Sequence, residues 1–184
     1  MGGLGRRRQA LASVAMRVLV TGGVRSGKSR HAEALLADRP SVTYVAPGPV
    51  HDDADWKARI AAHQARRPRS WTTLETGDLT VALRTRGPVL VDCLGTWLTR
   101  LIDDAGLWDA RSEDITAYVA EEVDAALRVL HDDVVLVTNE VGLGIVPEHR
   151  SGRLFRDLLG TVNQRFGAAC DEVHLVVAGR VLRI

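Results

Sequence analysis

Short apolar runs alternate with stretches whose apolar residues recur every three to four positions, and this alternation sets the reading of the chain. Arg17-Val-Leu-Val-Thr21 is an apolar run that ends in Gly22-Gly23, as a buried strand does on entering a tight turn. Helical spacing follows from Lys28 to Ala37, with Ala32, Leu35 and Leu36 on one face and Pro40 as the stop. Val42 to Ala46 reads as a second strand, closed by Pro47-Gly48-Pro49. Asp53 to Arg67 reads as a helix, because Trp56, Ile60 and His63 share a face and Pro68 ends it. Val89-Leu-Val-Asp92 is a third strand, followed by a helix with Leu94, Trp97, Leu98 and Leu101 in register. A longer helix is expected over Glu113 to Leu130, with Ser112 as its N-cap and Ile115, Val119, Val123, Ala126 and Leu130 inward. Val134 to Thr138 is the fourth strand. Leu154, Phe155, Leu158, Leu159, Val162 and Phe166 stripe the next helix, and Val173 to Ala178 is the fifth strand.

Apolar strands that alternate with amphipathic helices predict an α/β fold, a mostly parallel sheet with helices on both faces. No repeat or linker divides residues 16–184, which read as a single domain. Met1 to Ala15, with Arg6-Arg7-Arg8, reads as a disordered N-terminal extension rather than a targeting signal, and Met16 is a candidate true start.

Composition narrows the function. The chain has 184 residues, 46% of them apolar, enough for one substantial core. Twenty-four basic and 23 acidic residues leave a net charge of +1, which argues against a general nucleic-acid binder. Cys93 and Cys170 form neither a disulfide framework nor a zinc pattern and read as small buried thiols. No apolar run approaches the roughly 20 residues of a membrane span, so a cytoplasmic location is expected.

The segment Gly22-Gly23-Val24-Arg25-Ser26-Gly27-Lys28-Ser29 fits G-x-x-x-x-G-K-[ST], between a predicted strand and a predicted helix. Its glycines let successive backbone N–H groups wrap a polyphosphate at the helix N-terminus. Lys28 would bridge the β and γ oxygens of a nucleoside triphosphate, and Ser29 would ligate Mg²⁺. Two apolar runs end near acids, Asp92 and Glu140, at the sheet edge where α/β folds place ligands. Asp92 follows its run immediately and is favoured on the metal side; Glu140 stays open. Around His63, Arg59 and Arg67 stand four residues to either side and Arg66 three after it. Such cations keep an imidazole neutral and able to attack phosphorus. On the residues alone, a solvated Arg/His face is the plainer reading. His31, His51, His131, His149 and His174 look like singletons.

Several blocks in order resemble one family. Thr21-Gly-Gly-Val-Arg-Ser-Gly-Lys-Ser29, Tyr44-Val-Ala46, Arg59-Ile-Ala-Ala-His63 with Arg67-Pro68, and Trp71-Thr-Thr-Leu-Glu75 carry the first part of the likeness. Asp92-Cys-Leu-Gly-Thr-Trp-Leu-Thr99, Thr138-Asn-Glu-Val-Gly-Leu-Gly-Ile-Val-Pro147, Phe155-Arg-Asp157, Asn163-Gln164 and Val177-Ala-Gly179 carry the rest. From Met16 onward, the chain resembles the bifunctional adenosylcobinamide kinase/adenosylcobinamide-phosphate guanylyltransferases of cobalamin biosynthesis.

The resemblance implies a RecA-like P-loop fold, with GTP and ATP as substrates beside adenosylcobinamide and its phosphate. It implies that His63 carries GMP as a phosphoramidate, that Arg66, Arg67, Glu75 and Asp92 join the nucleotide site, and that the protein is a homotrimer. The chain departs from the pattern at Pro47-Gly48-Pro49, Gln64, Gly95 and Arg100. A simple small-molecule kinase is the nearest alternative. A GTPase-type module is the other, against which stands the lack of an Asn-Lys-x-Asp motif.

Overall fold

The computed structural model describes residues 16–49, 61 and 67–184. Its strands are β1 (Arg17–Thr21), β2 (Thr43–Ala46), β3 (Thr72–Glu75), β4 (Val89–Asp92), β5 (Val134–Val137), β6 (Glu172–Val177) and β7 (Arg180–Arg183). Its helices are α1 (Lys28–Leu35), α2 (Leu79–Leu83), α3 (Leu94–Ala105), α4 (Ser112–Arg128) and α5 (Arg150–Ala169). The strands form one sheet in the order β3-β2-β4-β5-β1-β6-β7. Every pairing is parallel except that of β6 with β7.

Alternation along each inner strand divides the core in two. Leu19, Val89, Val91, Val134 and Leu136 face a cluster completed by α2, α3, α4 and α5. Val18, Val20, Leu90, Val135 and Val137 face the opposite way, against Ala32 and Leu36 at α1. Trp97 is 1% exposed at the centre of the larger cluster. Its indole N–H is satisfied by the Gly77 carbonyl at 3.0 Å. That bond ties the loop after β3 to α3.

The expected strands and helices recur within the described residues, with shifted ends. The first helix stops at Leu35, and α4 stops at Arg128. Two strands and a helix escaped the sequence reading. Three of the four residues of β3 are polar, so it makes no apolar run. β7 returns from β6 through Ala178 (φ 49°) and Gly179 (φ 76°), a two-residue turn of paired positive φ that makes this hairpin antiparallel. α2 is one short turn capped by Asp78, whose Oδ1 accepts from Thr80 N at 2.8 Å and Val81 N at 3.0 Å.

The cap of α4 is corrected too. Arg111, not Ser112, takes the N-cap position, and Ser112 is the first helical residue. The Arg111 guanidinium forks onto Asp114 at 2.9 Å, so the helix start is fixed by an ion pair instead of a serine cap. Of the helix expected over Asp53–Arg67, only Ala61 and Arg67 are described; Ala61 is helical and Arg67 is not. Met1 to Ala15 lies outside the described residues. No helix among the described residues is long and apolar enough to cross a membrane.

Candidate active site

Parallel pairing brings the C-terminal ends of β3, β2, β4, β5 and β1 to one edge. Glu75 is level with Ala46, Asp92 with Val137, and Val137 with Val20, after which the phosphate loop begins. Gly22 turns the chain where no other residue fits: a Cβ there would lie 2.4 Å from the Val176 carbonyl oxygen. Arg25 (φ 56°) and Gly27 (φ 99°) complete the curl with left-handed backbone. Gly23, Val24 and Arg25 are exposed at its tip. The loop is pinned from three sides. Ser26 N donates to Gly23 O at 3.3 Å, Gly179 N to Ser26 O at 2.8 Å, and Glu140 N to Gly22 O at 3.2 Å.

Lys28 opens α1 and is 7% exposed. Its ammonium donates to the Gly23 carbonyl at 3.2 Å, across the mouth of the loop. A buried cation, the N-terminus of α1 and a curl of backbone amides together make an anion cradle. Ser29 follows on the first turn of the same helix.

The strand that bears Asp92 is separated from the loop strand by β5. Asp92 Oδ2 accepts from the Tyr44 hydroxyl at 3.1 Å. Burial, then the Asp92 charge, pushes the Tyr44 phenol well above its ordinary range, so it stays a donor. The Arg67 guanidinium lies 3.7 Å from the centre of the Tyr44 ring, and it donates to Thr73 Oγ1 at 3.0 Å. Nothing in the sequence spacing revealed this Arg67–Tyr44–Asp92 arrangement. Glu140 is employed differently: its Oε1 accepts from Gly142 N at 2.6 Å, shaping the chain after β5.

The donor set of the Ser29 hydroxyl and the Asp92 carboxylate suits a hard divalent cation. Among the described residues no group of three or more His, Cys, Asp or Glu side chains could hold a metal by itself. His63, Arg66 and Arg59 lie outside the described residues, and Glu75 is exposed at the end of β3.

Polar contacts behind the cradle were also missed. Thr138 Oγ1 donates to Asn163 Oδ1 at 2.6 Å, and Asn163 Nδ2 donates to Asn139 O at 3.0 Å. His31 and His174 are not singletons. His31 Nε2 and His174 Nδ1 are 2.9 Å apart, and His174 Nε2 meets Glu172 Oε2 at 2.6 Å. Burial, then the neighbouring His174, holds the His31 imidazole below its usual range. These residues join α1 to β6 across 143 positions of sequence. Both cysteines are free thiols; Cys93 is buried and Cys170 is half-buried. Burial pushes the Cys170 thiol up to about 12, and Cys93 is raised for the same reason, so neither is poised as a nucleophile.

A strand, a glycine-rich loop and a helix with Lys28 at its start, one strand away from Asp92, define a P-loop nucleotide-binding protein. A solved ATPase from the type III secretion system of pathogenic bacteria shares the fold at a TM-score of 0.51 and 9% identity, over 87% of this chain and 50% of that one. The family model for cobinamide kinase / cobinamide phosphate guanyltransferase matches residues 18–184, and the chain belongs to that family. The bifunctional adenosylcobalamin biosynthesis protein CobU of Salmonella typhimurium is 45% identical, with 92% of this chain and 99% of that protein aligned. The protein of the same name from Escherichia coli is 43% identical over the same shares. The bifunctional adenosylcobalamin biosynthesis protein CobP of Pseudomonas aeruginosa is 39% identical, over 89% of this chain and 94% of that one.

Proposed function

We infer that this chain is a bifunctional enzyme that phosphorylates adenosylcobinamide with a nucleoside triphosphate and transfers GMP from GTP to the resulting phosphate. The observation that carries the reading is the pinned anion cradle of residues 22–29 with Lys28 buried at its mouth, in a chain of this family. One cradle serves both transfers, because each reaction needs a triphosphate held with its reacting phosphorus toward an acceptor. In the kinase step the acceptor's aminopropanol hydroxyl attacks the γ-phosphorus and the nucleoside diphosphate leaves. In the guanylyl step a His63 imidazole nitrogen attacks the α-phosphorus of GTP and pyrophosphate leaves. The cobinamide phosphate oxygen then attacks the same phosphorus, and the imidazole is released. Two in-line displacements retain configuration at phosphorus.

Lys28 and the loop amides bind the phosphate oxygens, Ser29 and Asp92 would hold Mg²⁺, and Tyr44 orients Asp92. Held there, Mg²⁺ would supply positive charge against the phosphates. Arg66, Arg67 and Glu75 are nucleotide-side residues in this reading. The enzyme works as a single cytoplasmic domain over residues 16–184 and as a homotrimer, for which Leu182 on edge strand β7 and Ile184 just beyond it offer exposed apolar side chains.

The decisive experiment uses GTP labelled at the α-phosphorus. Wild type should acquire an acid-labile, base-stable label, whereas γ-labelled GTP should leave none on His63. His63→Ala should lose the label and guanylyl transfer but keep substantial kinase activity. Retention of the α-label by His63→Ala would overturn the assignment.

A further inference from the structure

The segment between β5 and α5 holds the part of the Thr138–Pro147 sequence block that the chemistry above leaves without a role. Leu143 is 89% exposed, Ile145 96% and Val146 63%, an apolar trio in full contact with water. Their backbone is nevertheless tied down. Arg156 on α5 donates to Gly142 O at 2.6 Å and to Gly144 O at 3.0 Å. Arg153 donates to Pro147 O at 3.1 Å, and Glu140 holds Gly142 N. Pro147 also packs so closely on Gly152 that a Cβ there would lie 2.8 Å from it. The chain enters this segment through Glu140, whose N–H is bonded to Gly22 at the start of the phosphate loop.

A braced segment that carries bare aliphatic side chains and is anchored to the phosphate cradle is built to present those side chains. Resting on the functional reading above, we propose that Leu143, Ile145 and Val146 seat the apolar face of the corrin macrocycle. The acceptor's aminopropanol arm then lies toward the cradle. The surface favours this occupant over a second copy of the chain. Three side chains on one segment offer on the order of a few hundred Å², against roughly 800 Å² per partner in a stable protein interface. A tetrapyrrole-sized ligand needs no more, and continuity with the cradle places it where its arm can react.

The test compares wild type with Leu143→Ser/Ile145→Ser and with the conservative Ile145→Leu. Measurements are adenosylcobinamide affinity by equilibrium dialysis read from corrin absorbance, kinase KM and kcat, fluorescent-GTP affinity, and mass by light scattering. The double variant should weaken corrinoid binding and raise its KM by about tenfold or more. Its kcat at saturation and nucleotide affinity should stay within about twofold of wild type and its mass should be unchanged, and Ile145→Leu should keep wild-type corrinoid affinity. Unchanged corrinoid affinity would overturn the proposal. So would a change of mass that accompanies the loss, which would make the segment a contact between copies. Wild type that binds nucleotide but neither binds nor phosphorylates adenosylcobinamide would overturn the functional reading itself, and this proposal with it.

Discussion

Gly22 and Gly23 are adjacent, identical in sequence and opposite in what they tolerate. A Cβ on Gly22 would meet the Val176 backbone oxygen at 2.4 Å and Ser26 Oγ at 2.8 Å. The serine hydroxyl can rotate away, but Val176 is held in β6, which is paired on both sides. The first contact is about 1 Å short of ordinary separation, so the loop itself must move. Gly22→Ala should therefore cost about 1–3 kcal/mol, the range for an overpacked site. For a domain of this size that lowers Tm by roughly 2–12 °C. The same displacement at a phosphate cradle should weaken nucleotide binding about tenfold or more.

At Gly23 nothing lies within 4 Å of a built Cβ, so Gly23→Ala should stay within about 0.5 kcal/mol of wild type. Scanning calorimetry gives the first difference, and titration of a fluorescent GTP analogue with Mg²⁺ gives the second. Ser26→Ala in the Gly22→Ala background separates the two contacts and should restore little. Equal Tm and equal nucleotide affinity for the two alanine variants would refute the steric reasoning.

Lys28→Ala should lower both transfers by roughly 10²–10³ without loss of Tm, because a shared cation is removed from a position that does not pack the core. Wild-type kinase turnover in that variant would end the idea of a common cradle. Tyr44→Phe keeps the ring under Arg67 but removes the donor to Asp92; it should raise the Mg²⁺ concentration for half-maximal rate roughly tenfold. Asp78→Ala should cost about 1 kcal/mol through the lost cap of α2, read from urea midpoints. The Thr80 and Val81 bonds to Asp78 hold its carboxyl below the usual range. That advantage is complete above the unfolded value of about 4 and is lost as pH falls through the lower folded value, so the two stability curves should converge in acid.

How far the sequence foretold the molecule follows from which signals are local. β1, β4 and β5 are buried on both faces and read as continuous apolar runs, so they stood out. β3 did not, because Thr72, Thr73 and Glu75 at the sheet edge are exposed and polar. β7 did not, because only an antiparallel partner makes Arg180-Val-Leu-Arg183 a strand. The phosphate loop was legible because its chemistry occupies contiguous positions. The Tyr44–Asp92, His31–His174 and Thr138–Asn163 contacts were not, since each joins residues brought together only by crossover connections.

Of the departures from the family pattern, Gly48 and Arg100 meet at α3 and Gly95 lies on it, whereas Gln64 lies outside the described residues. Arg100 donates to the Gly48 carbonyl at 3.4 Å, and a Cβ on Gly48 would come within 2.9 Å of Thr96. Arg100 also fills the space beside Gly77, and Gly95 sits where a Cβ would meet Asn139 Oδ1 at 2.9 Å. The Pro47-Gly48-Pro49 turn and Arg100 therefore fit each other: a turn without a Cβ at its centre lets α3 approach, and the arginine takes up the exposed carbonyl. Gly95 likewise leaves room for Asn139, which Asn163 holds by its backbone carbonyl. These residues pack α3 against the loops after β2, β3 and β5. The bonds that pin the cradle are made instead by Gly23, Ser26, Glu140 and Gly179, none of them a departure. The α3 contacts of Gly48, Gly95 and Arg100 are thus separate from the bonds that pin the phosphate loop.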